Sequence, residues 1–201
     1  MSKAAQTRAF IIEKTAPLFN RQGYAGTSMS DITAATGLTK GSIYGNFCNK
    51  DEVALAAFDY NLKKIGDIAA AAMDDSRCAK DQLLAYINIY KNRAGSPFLE
   101  AGCPIQNAAT ETGDNSSGLR QKAGEAILCL KKRLASIIKK GIHNKEFRAD
   151  IDPDRSALTI IAAVQGAIII SKATGNIEDR KTILHSVEEL IRDLELIRGI
   201  G

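Results

Sequence analysis

The sequence has 201 residues, of which 45% are hydrophobic and 25% charged, a balance typical of a globular protein with a buried core. Aromatic residues make up only 5% and Trp is absent, which disfavours a β-sandwich and favours close-packed helices. The net charge of +4 lies wholly in residues 1–50, because the bases and acids of the other residues balance. A basic module on a neutral body is typical of a protein that binds a phosphate backbone.

The cysteines are scattered along the chain, at Cys48, Cys78, Cys103 and Cys129. They form no C-x-x-C pair, and no histidine stands at zinc spacing from them. Separated cysteines of this kind suit free thiols in a reducing compartment. We therefore predict neither a disulfide framework nor a metal site.

Two further features bear on where the chain is found. Residues 1–10 lack the apolar segment of a signal peptide. The longest apolar run, residues 157–170, is shorter than the roughly 20 residues of a membrane span and contains Gln165. We expect a cytoplasmic protein without a membrane segment, in which residues 157–170 form a buried helix.

Helical periodicity begins close to the N-terminus. One face of a first helix is marked at i, i+4, i+7 and i+8 spacing by Ile11, Thr15, Leu18 and Phe19. Gly23 is expected to end this helix and Pro17 to kink it. Ser28 and Asp31 form an S-x-x-D start signal for a short second helix, which runs to about Ala35.

A turn and a third short helix follow. Gly37 can adopt a positive φ angle and therefore predicts a turn after the second helix. Thr39 stands where it can cap a third helix, which ends near Gly45. The first 50 residues thus contain three predicted helices.

The rest of the chain is also helical, with one interruption. Asn49 with Glu52 resembles another capping arrangement and opens a long fourth helix to about Met73. Between residues 95 and 118, Gly and Pro are too frequent for a long helix, and only a short sixth helix fits. The remaining helices are predicted at residues 83–90 (fifth), Pro104–Glu111 (sixth), 127 to about Gly141 (seventh), from Pro153 (eighth) and 183–197 (ninth). We find no strand-like alternation, so the predicted fold is all-α with about nine helices.

Residues 28–47 contain two short helices joined by a tight glycine turn. The second helix opens with small and polar residues, Thr39, Lys40, Gly41 and Ser42. This is a helix-turn-helix layout, in which the second helix enters the major groove by its N-terminal end. Small residues let the backbone approach DNA, and the free N–H groups of a helix tip suit a phosphate. Lys40, Ser42 and Tyr44 can offer donors to phosphates or base edges.

The run from Thr27 to Phe47, T-S-M-S-D-I-T-A-A-T-G-L-T-K-G-S-I-Y-G-N-F, followed by Lys50, resembles the signature of the TetR family of bacterial regulators. The resemblance is specific over about residues 8–58 and architectural beyond them. It implies an N-terminal three-helix helix-turn-helix DNA-binding domain at residues 1–50. Residues 51–201 would then form a helical effector-binding and dimerisation domain.

The resemblance also implies partners, because members of the family are mostly repressors released from an operator by a small molecule. We expect a double-stranded DNA operator, an unknown small-molecule effector, and a homodimer formed mainly by the last two helices. By the same likeness the DNA contacts fall to Thr27, Thr39, Lys40, Ser42, Tyr44, Asn46 and Lys50.

Two positions depart from the family pattern. Asn46 stands where His or Tyr is more frequent, and Thr15 replaces a usual Ala.

Residues 102–111 resemble a G-C-x-x-x-N-x-x-x-E pattern of one branch of the family, in which it lies on the sixth helix beside a cavity. The residues expected to line an effector cavity are Tyr86, Tyr90, Phe98, Cys103, Gln106, Asn107 and Gln165. Such a lining implies a ligand with apolar and polar parts. Cys103 could sense oxidants or electrophiles, but a small buried thiol is the favoured interpretation.

Signatures of catalysis are missing from the sequence. It contains no G-x-S-x-G, P-loop or G-x-G-x-x-G motif, and His143 and His185 have no partner at motif spacing. We therefore expect a DNA-binding transcriptional regulator without enzyme activity, cofactor or metal. An activator, or a regulator that responds to no small molecule, stays an alternative. So does a small helical enzyme or carrier with an incidental helix-turn-helix-like segment, although the segregated charge argues against it.

Overall fold

The computed structural model describes residues 2–74, 76, 78–91, 102–110 and 117–196, and nine helices lie within these ranges. In chain order they are α1 (Lys3–Gln22), α2 (Met29–Thr36), α3 (Lys40–Tyr44), α4 (Lys50–Asp74), α5 (Ala79–Lys91), α6 (Pro104–Ala109), α7 (Ser117–His143), α8 (Pro153–Thr174) and α9 (Ile177–Arg192). The only strand-like pairing in these ranges is an isolated antiparallel bridge between Phe147 and Glu195. The predicted all-α fold is confirmed.

The starts of α2 and α3 are fixed by the capping residues that the sequence predicts. Ser28 and Asp31 form a reciprocal capping box, in which each side chain accepts from the other residue's main-chain N–H. Gly37 ends α2 with φ +67°, a left-handed conformation that only glycine adopts at little cost. Thr39 Oγ1 accepts from the N–H of Ser42 at 3.2 Å and so caps α3.

The helix-turn-helix segment is held together by a small apolar core. Ile11 of α1, Ile32 of α2 and Ile43 of α3 are fully buried. Thr15, which replaces a more usual Ala, is also buried, and its hydroxyl donates to the Ile11 carbonyl oxygen at 2.7 Å. The hydroxyl is therefore satisfied within its own helix, so the polar atom is accommodated in the core.

Helix boundaries differ from the prediction most clearly in the seventh and ninth helices, and the fifth and ninth also begin earlier, at Ala79 and Ile177. The seventh helix starts at Ser117, ten residues before the predicted apolar stripe, so Gly118 lies inside it rather than in a loop. The ninth helix ends at Arg192, and Leu194 lies buried in the turn that follows. The predicted continuation of this helix is therefore wrong for residues 193–196, and Ile197 lies outside the described residues.

Helices α5, α8 and α9 pack against one another. Asp152 caps α8 by accepting from the N–H groups of Asp154 and Arg155, and Pro153 occupies the first helical position, as predicted. Near the end of α7 a Cβ atom on Gly141 would lie 2.3 Å from the Phe147 ring. Glycine is required there because the two segments approach too closely for a side chain.

The chain divides into two compact units. The first consists of Met1–Ile65 and Pro97–Ala126, and the second of Gly66–Ser96 and Ile127–Gly201. The first unit therefore contains the predicted DNA-binding residues 1–50 together with α6. Compactness does not identify which residues bind DNA or an effector, so the functional division at residue 50 stays a prediction.

Helix α8 is more extended than its apolar run suggests. It has 22 residues and is long and apolar enough, by length and composition, to cross a membrane. Core helices of globular proteins share these properties. Ile160, Ile161, Val164 and Ile168 are buried in the chain itself, whereas Leu158, Ile169 and Ile170 are exposed.

Candidate nucleic-acid interface

The N-terminal tip of α3 presents the predicted recognition residues to solvent. Thr39, Lys40 and Gly41 are exposed, and Ser42 is half-buried. Tyr44 is 49% exposed and is therefore not a core aromatic. Only Ile43 of this helix is buried, so a single residue anchors α3 in the core while Lys40 and Tyr44 are left exposed.

Gly41 is not required by the protein's own packing. A Cβ atom at this position would meet nothing closer than the Thr39 hydroxyl oxygen at 3.9 Å. The absence of a side chain instead leaves the backbone of the first turn open to a close external approach. Free N–H groups at such a tip suit a phosphate oxygen.

Thr27 and Lys50, both predicted DNA contacts, meet in the loop between α1 and α2. Thr27 is buried, and its hydroxyl donates to the Gly23 carbonyl oxygen at 2.7 Å. The Lys50 ammonium donates to the carbonyl oxygens of Tyr24, at 3.1 Å, and Thr27, at 2.8 Å. These side chains shape the loop before α2, whatever contact they also make with DNA.

Asn46, where the family more often has His or Tyr, caps the end of α3. Its Nδ2 donates to the Ser42 carbonyl oxygen at 2.9 Å, and the side chain is half-buried. One edge of the amide is thus occupied by the helix that it follows.

Sequence reasoning missed two charged residues beside this segment. Arg8 of α1 donates from Nη2 to Glu52 Oε1 at 2.7 Å. The other carboxylate oxygen of Glu52 accepts from the main-chain N–H of Cys48, also at 2.7 Å. Arg8 also donates to the Asn46 carbonyl and stacks over the Phe47 ring, 4.0 Å from its centroid. The pair is 44 residues apart in sequence, so no local pattern could have identified it.

Both carboxyl groups that organise this module are stabilised in the ionised form. The pKa of Glu52 lies below its ordinary value because it accepts from the Cys48 N–H and then from the Arg8 guanidinium. The pKa of Asp31 is lowered by the Ser28 hydroxyl and the Ser28 N–H. The module therefore keeps these hydrogen bonds to carboxylates at neutral pH.

The predicted effector residues fall into both compact units. Tyr86 and Tyr90 are buried in the second unit, where their rings meet edge to face at 5.7 Å, and Gln165 is half-buried on α8. Residues of the first unit include Cys103, which is buried, and Gln106 and Asn107, which are half-buried on α6. Phe98 lies outside the described residues.

The G-C-x-x-x-N pattern has a structural role within the first unit. Asn107 Nδ2 donates to the main-chain and side-chain oxygens of Asn20, each at 2.9 Å, and Asn20 donates to the Gly102 carbonyl at 3.3 Å. Gly102 has φ +98°, and a Cβ there would approach the Asn107 amide to 3.5 Å. These residues fasten α6 to the last turn of α1.

A surface cleft of about 570 Å³ lies at the end of α9, lined by Arg148, Arg192, Asp193, Glu195 and Leu196. None of the predicted effector residues lines it. Across the described ranges, no three His, Cys, Asp or Glu side chains converge in a way that could hold a metal ion.

Comparison with known families agrees with this geometry. A family model described as "Bacterial regulatory proteins, tetR family" matches residues 11–57, and one described as "Tetracyclin repressor-like, C-terminal domain" matches residues 79–187. The first match covers the helix-turn-helix, and the second covers more than half of the chain.

Solved structures and a curated relative point the same way. A TetR-family transcriptional regulator from Cytophaga hutchinsonii is 49% identical, with TM-score 0.93 over 98% of this chain and 99% of that one. A TetR regulator from Chloroflexus aurantiacus is 34% identical, with TM-score 0.89 over 97% and 98%. The HTH-type transcriptional regulator TtgR of Pseudomonas putida is 28% identical over 83% of this chain and 80% of its own length.

An exposed recognition tip on a basic three-helix module, followed by a helical body, defines a helix-turn-helix transcriptional regulator that binds DNA. The chain belongs to the TetR family of bacterial regulators.

Proposed function

We propose that the protein is a repressor that binds a palindromic operator as a homodimer and leaves it when a small molecule binds. The observation that carries the DNA-binding part is the tip of α3, where Lys40, Gly41 and Tyr44 are exposed on a basic module. Repression and release are supported by the family to which the chain belongs. A regulator of this kind acts where the chromosome is, so we propose a cytoplasmic location.

The DNA contacts are proposed to divide between two kinds. Lys40, Lys50 and the N–H groups at the tip of α3 suit phosphates, while Ser42 and Tyr44 can reach base edges. Thr27, Thr39 and Asn46 hold the loop and both ends of α3, so their contribution is to shape and to main-chain contacts.

The homodimer is proposed to form through α8. Leu158, Ile169 and Ile170 are 46%, 46% and 43% exposed, whereas other apolar residues of α8, such as Ile160 and Val164, are buried within the chain. Exposed apolar residues along one helix are expected to be covered by a partner, and a second copy provides the same face by two-fold symmetry. In this proposal the partner subunit, rather than a membrane, covers the exposed apolar residues of α8. Paired recognition helices would stand about 34–36 Å apart, or a multiple of that distance.

Helix α9 is proposed to contribute less apolar surface than the sequence predicts. Its apolar residues Leu184, Val187 and Ile191 are buried within the chain itself, and Ile183 and Leu190 are half-buried. The exposed positions of α9 are mostly polar, among them Lys181, His185 and Glu189. Helix α9 would therefore supply the polar rim of the interface rather than its apolar centre.

Effector binding is proposed to fall within residues 79–187, the part that matches the repressor-like C-terminal model. The Tyr86 and Tyr90 pair and Gln165 offer apolar area with a few polar atoms, the composition typical of a small-molecule site. Cys103, at the N-cap of α6, and Gln106 and Asn107, within it, lie in the other compact unit and are separate candidates.

The test is selection of bound fragments from the genomic DNA of the source organism by the purified protein. We expect enrichment of a palindromic sequence, and compounds related to the products of the neighbouring genes should release it. Selection without a shared sequence would reject the operator, whereas a non-palindromic site would reject the symmetric dimer. An operator that is bound but never released would reject the effector alone.

A further inference from the structure

The recognition helix is too short to hold its own orientation. Helix α3 has five residues, one of which is buried, and isolated helices of this length are not stable in water. Its direction must therefore be set by neighbouring segments. This inference rests on the proposed role of α3 as the helix that reads DNA.

Two charged side chains bridge the segment that leaves α3. The Arg8 guanidinium reaches from α1 to the Asn46 carbonyl with one nitrogen and to Glu52 Oε1 with another, while its Cζ lies over the buried Phe47 ring, 4.0 Å from the centroid. The second oxygen of Glu52 accepts from the Cys48 N–H. Residues 46–48 are thus held from both sides, by α1 and by the first turn of α4.

The first turn of α4 is itself fixed, so it can serve as a support. Asn49 Oδ1 accepts from the Glu52 N–H at 2.8 Å, which caps α4 and places the Glu52 side chain. Arg is suited to the other end of the bridge because its planar fork can serve two acceptors and stack on a ring at once.

From this arrangement we infer that Arg8 and Glu52 are positioning residues, which set the orientation of the recognition helix on DNA without reading a base. Their contribution to the stability of the fold is small, because their side chains are 38% and 36% exposed and exposed ion pairs add little. Their contribution to operator binding is larger, because a misdirected α3 loses its base contacts while the fold survives.

The charge of Glu52 makes the inference testable, because the two explanations predict opposite changes in DNA affinity when Glu52 is neutralised. A carboxylate beside a phosphate-binding face repels DNA, so neutralising it would strengthen binding if electrostatics alone acted. A positioning role predicts the opposite, a weaker specific complex. Asp51 is the matched control, since it is an exposed acid in the same helical turn.

The experiment compares Glu52→Gln, Glu52→Asp and Asp51→Asn in the full-length protein. The probe is an operator duplex recovered by the parent protein, beside a scrambled duplex of equal length. We expect Glu52→Gln and Glu52→Asp to bind the operator about fivefold or more weakly. Scrambled DNA should be bound as by the parent or better, and Asp51→Asn should keep parental specificity. Arg8→Lys should behave like the Glu52 variants, because it keeps the charge and loses the fork.

Thermal melting separates positioning from loss of fold. The variants should melt close to the parent while their ratio of operator to scrambled affinity falls. If Glu52→Gln binds the operator as tightly as the parent or more tightly, the inference is overturned. It is also overturned if specificity and melting temperature fall together in Glu52→Asp and Arg8→Lys. A parent protein that does not distinguish the two duplexes would instead reject the proposed function.

Discussion

The Lys50 ammonium donates to the Thr27 carbonyl oxygen at 2.8 Å and thereby joins the first residue of α4 to the loop before α2. A second bond, to the Tyr24 carbonyl, fixes the same loop from its other end. Lysine has three donors, so one N–H is left to point toward a phosphate. Lys50 can therefore stabilise the loop and contact a DNA phosphate at the same time. The first role affects the free energy of unfolding, and the second affects operator affinity.

Replacing Lys50 with Gln should lower both the stability of the fold and operator affinity. The variant lacks the charge-assisted hydrogen bonds to two carbonyls, at a cost of about 1–2 kcal/mol in the free energy of unfolding. Denaturant melts measure the first effect and operator titrations the second. Unchanged stability would show that the bonds to Tyr24 and Thr27 contribute nothing, and Lys50 would then act on DNA alone.

Lys40→Gln should have the complementary effect. Lys40 is exposed at the tip of α3, so its removal should leave the melting temperature close to that of the parent. Because the variant neutralises one phosphate fewer, the slope of log affinity against log salt should become shallower by about 0.9. Operator titrations over a range of salt concentrations provide the measurement. A parental slope would mean that Lys40 touches no phosphate.

Most of the fold could be predicted because local chemistry decides it. Capping by Ser28 and Thr39 and the positive φ of Gly37 are properties of the residues themselves, and the structure confirms each one. The end of α9 could not be predicted in this way. Leu194 continues the apolar period of the helix but is buried in a turn, whose N–H and carbonyl groups bond to residues near Phe147. Tertiary contacts override the helical pattern there.

The candidate site shows the same division. The tip of α3 is contiguous in sequence, so its exposed residues were identified from the pattern. Arg8 and Glu52 come together only when α1 packs beside α4, and the capping pattern of Asn49 with Glu52 gives no sign of the contact with Arg8. The sequence pattern predicts Asn107 beside an effector cavity, but it does not indicate the bonds to Asn20, because the two residues are far apart in the chain.

Ser28→Ala should destabilise the protein by about 1 kcal/mol at neutral pH, because the N-cap of α2 loses its side chain. The pKa of Asp31 is lowered mainly by the Ser28 hydroxyl. A lowered pKa stabilises the fold above the unfolded value, near 3.9, and that stabilisation is lost as pH falls through the folded value. The difference between parent and variant should therefore shrink in acid.

The control for this pH effect is Thr39→Ala, which removes a cap that has no carboxylate partner. Melting curves at neutral pH and below pH ~4 should show a constant deficit for Thr39→Ala and a shrinking one for Ser28→Ala. Equal behaviour of the two variants would mean that Asp31 takes no part in the pH dependence.

Ile169→Glu should weaken the proposed dimer, because a charge would enter the apolar face of α8. We expect the dimer dissociation constant to rise about tenfold or more, as measured by sedimentation. Leu128→Glu on α7 is the matched control, since Leu128 is also an exposed apolar residue, at 57%. Leu194 is unsuitable for this test because it is buried within the chain. If Ile169→Glu remains as dimeric as Leu128→Glu, the interface lies on another surface.

The effector response should depend on Gln106, and the stability of the fold on its neighbour Asn107. Gln106 Oε1 is buried and accepts no hydrogen bond from any residue in the described ranges, so its replacement by Leu should cost little stability. Asn107→Leu removes the donor to both Asn20 oxygens, and Asn20 is buried, so we expect a loss of about 1–3 kcal/mol.

Once an effector has been found, its titration against the operator complex completes this test. Gln106→Leu should bind the operator like the parent but need more effector for release, about 5- to 150-fold more if the full coupling energy is lost. Parental release by Gln106→Leu would remove that residue from the effector site. A fully stable Asn107→Leu would show that its bonds to Asn20 do not fasten α6 to α1, and contact with the ligand would then be its remaining proposed role.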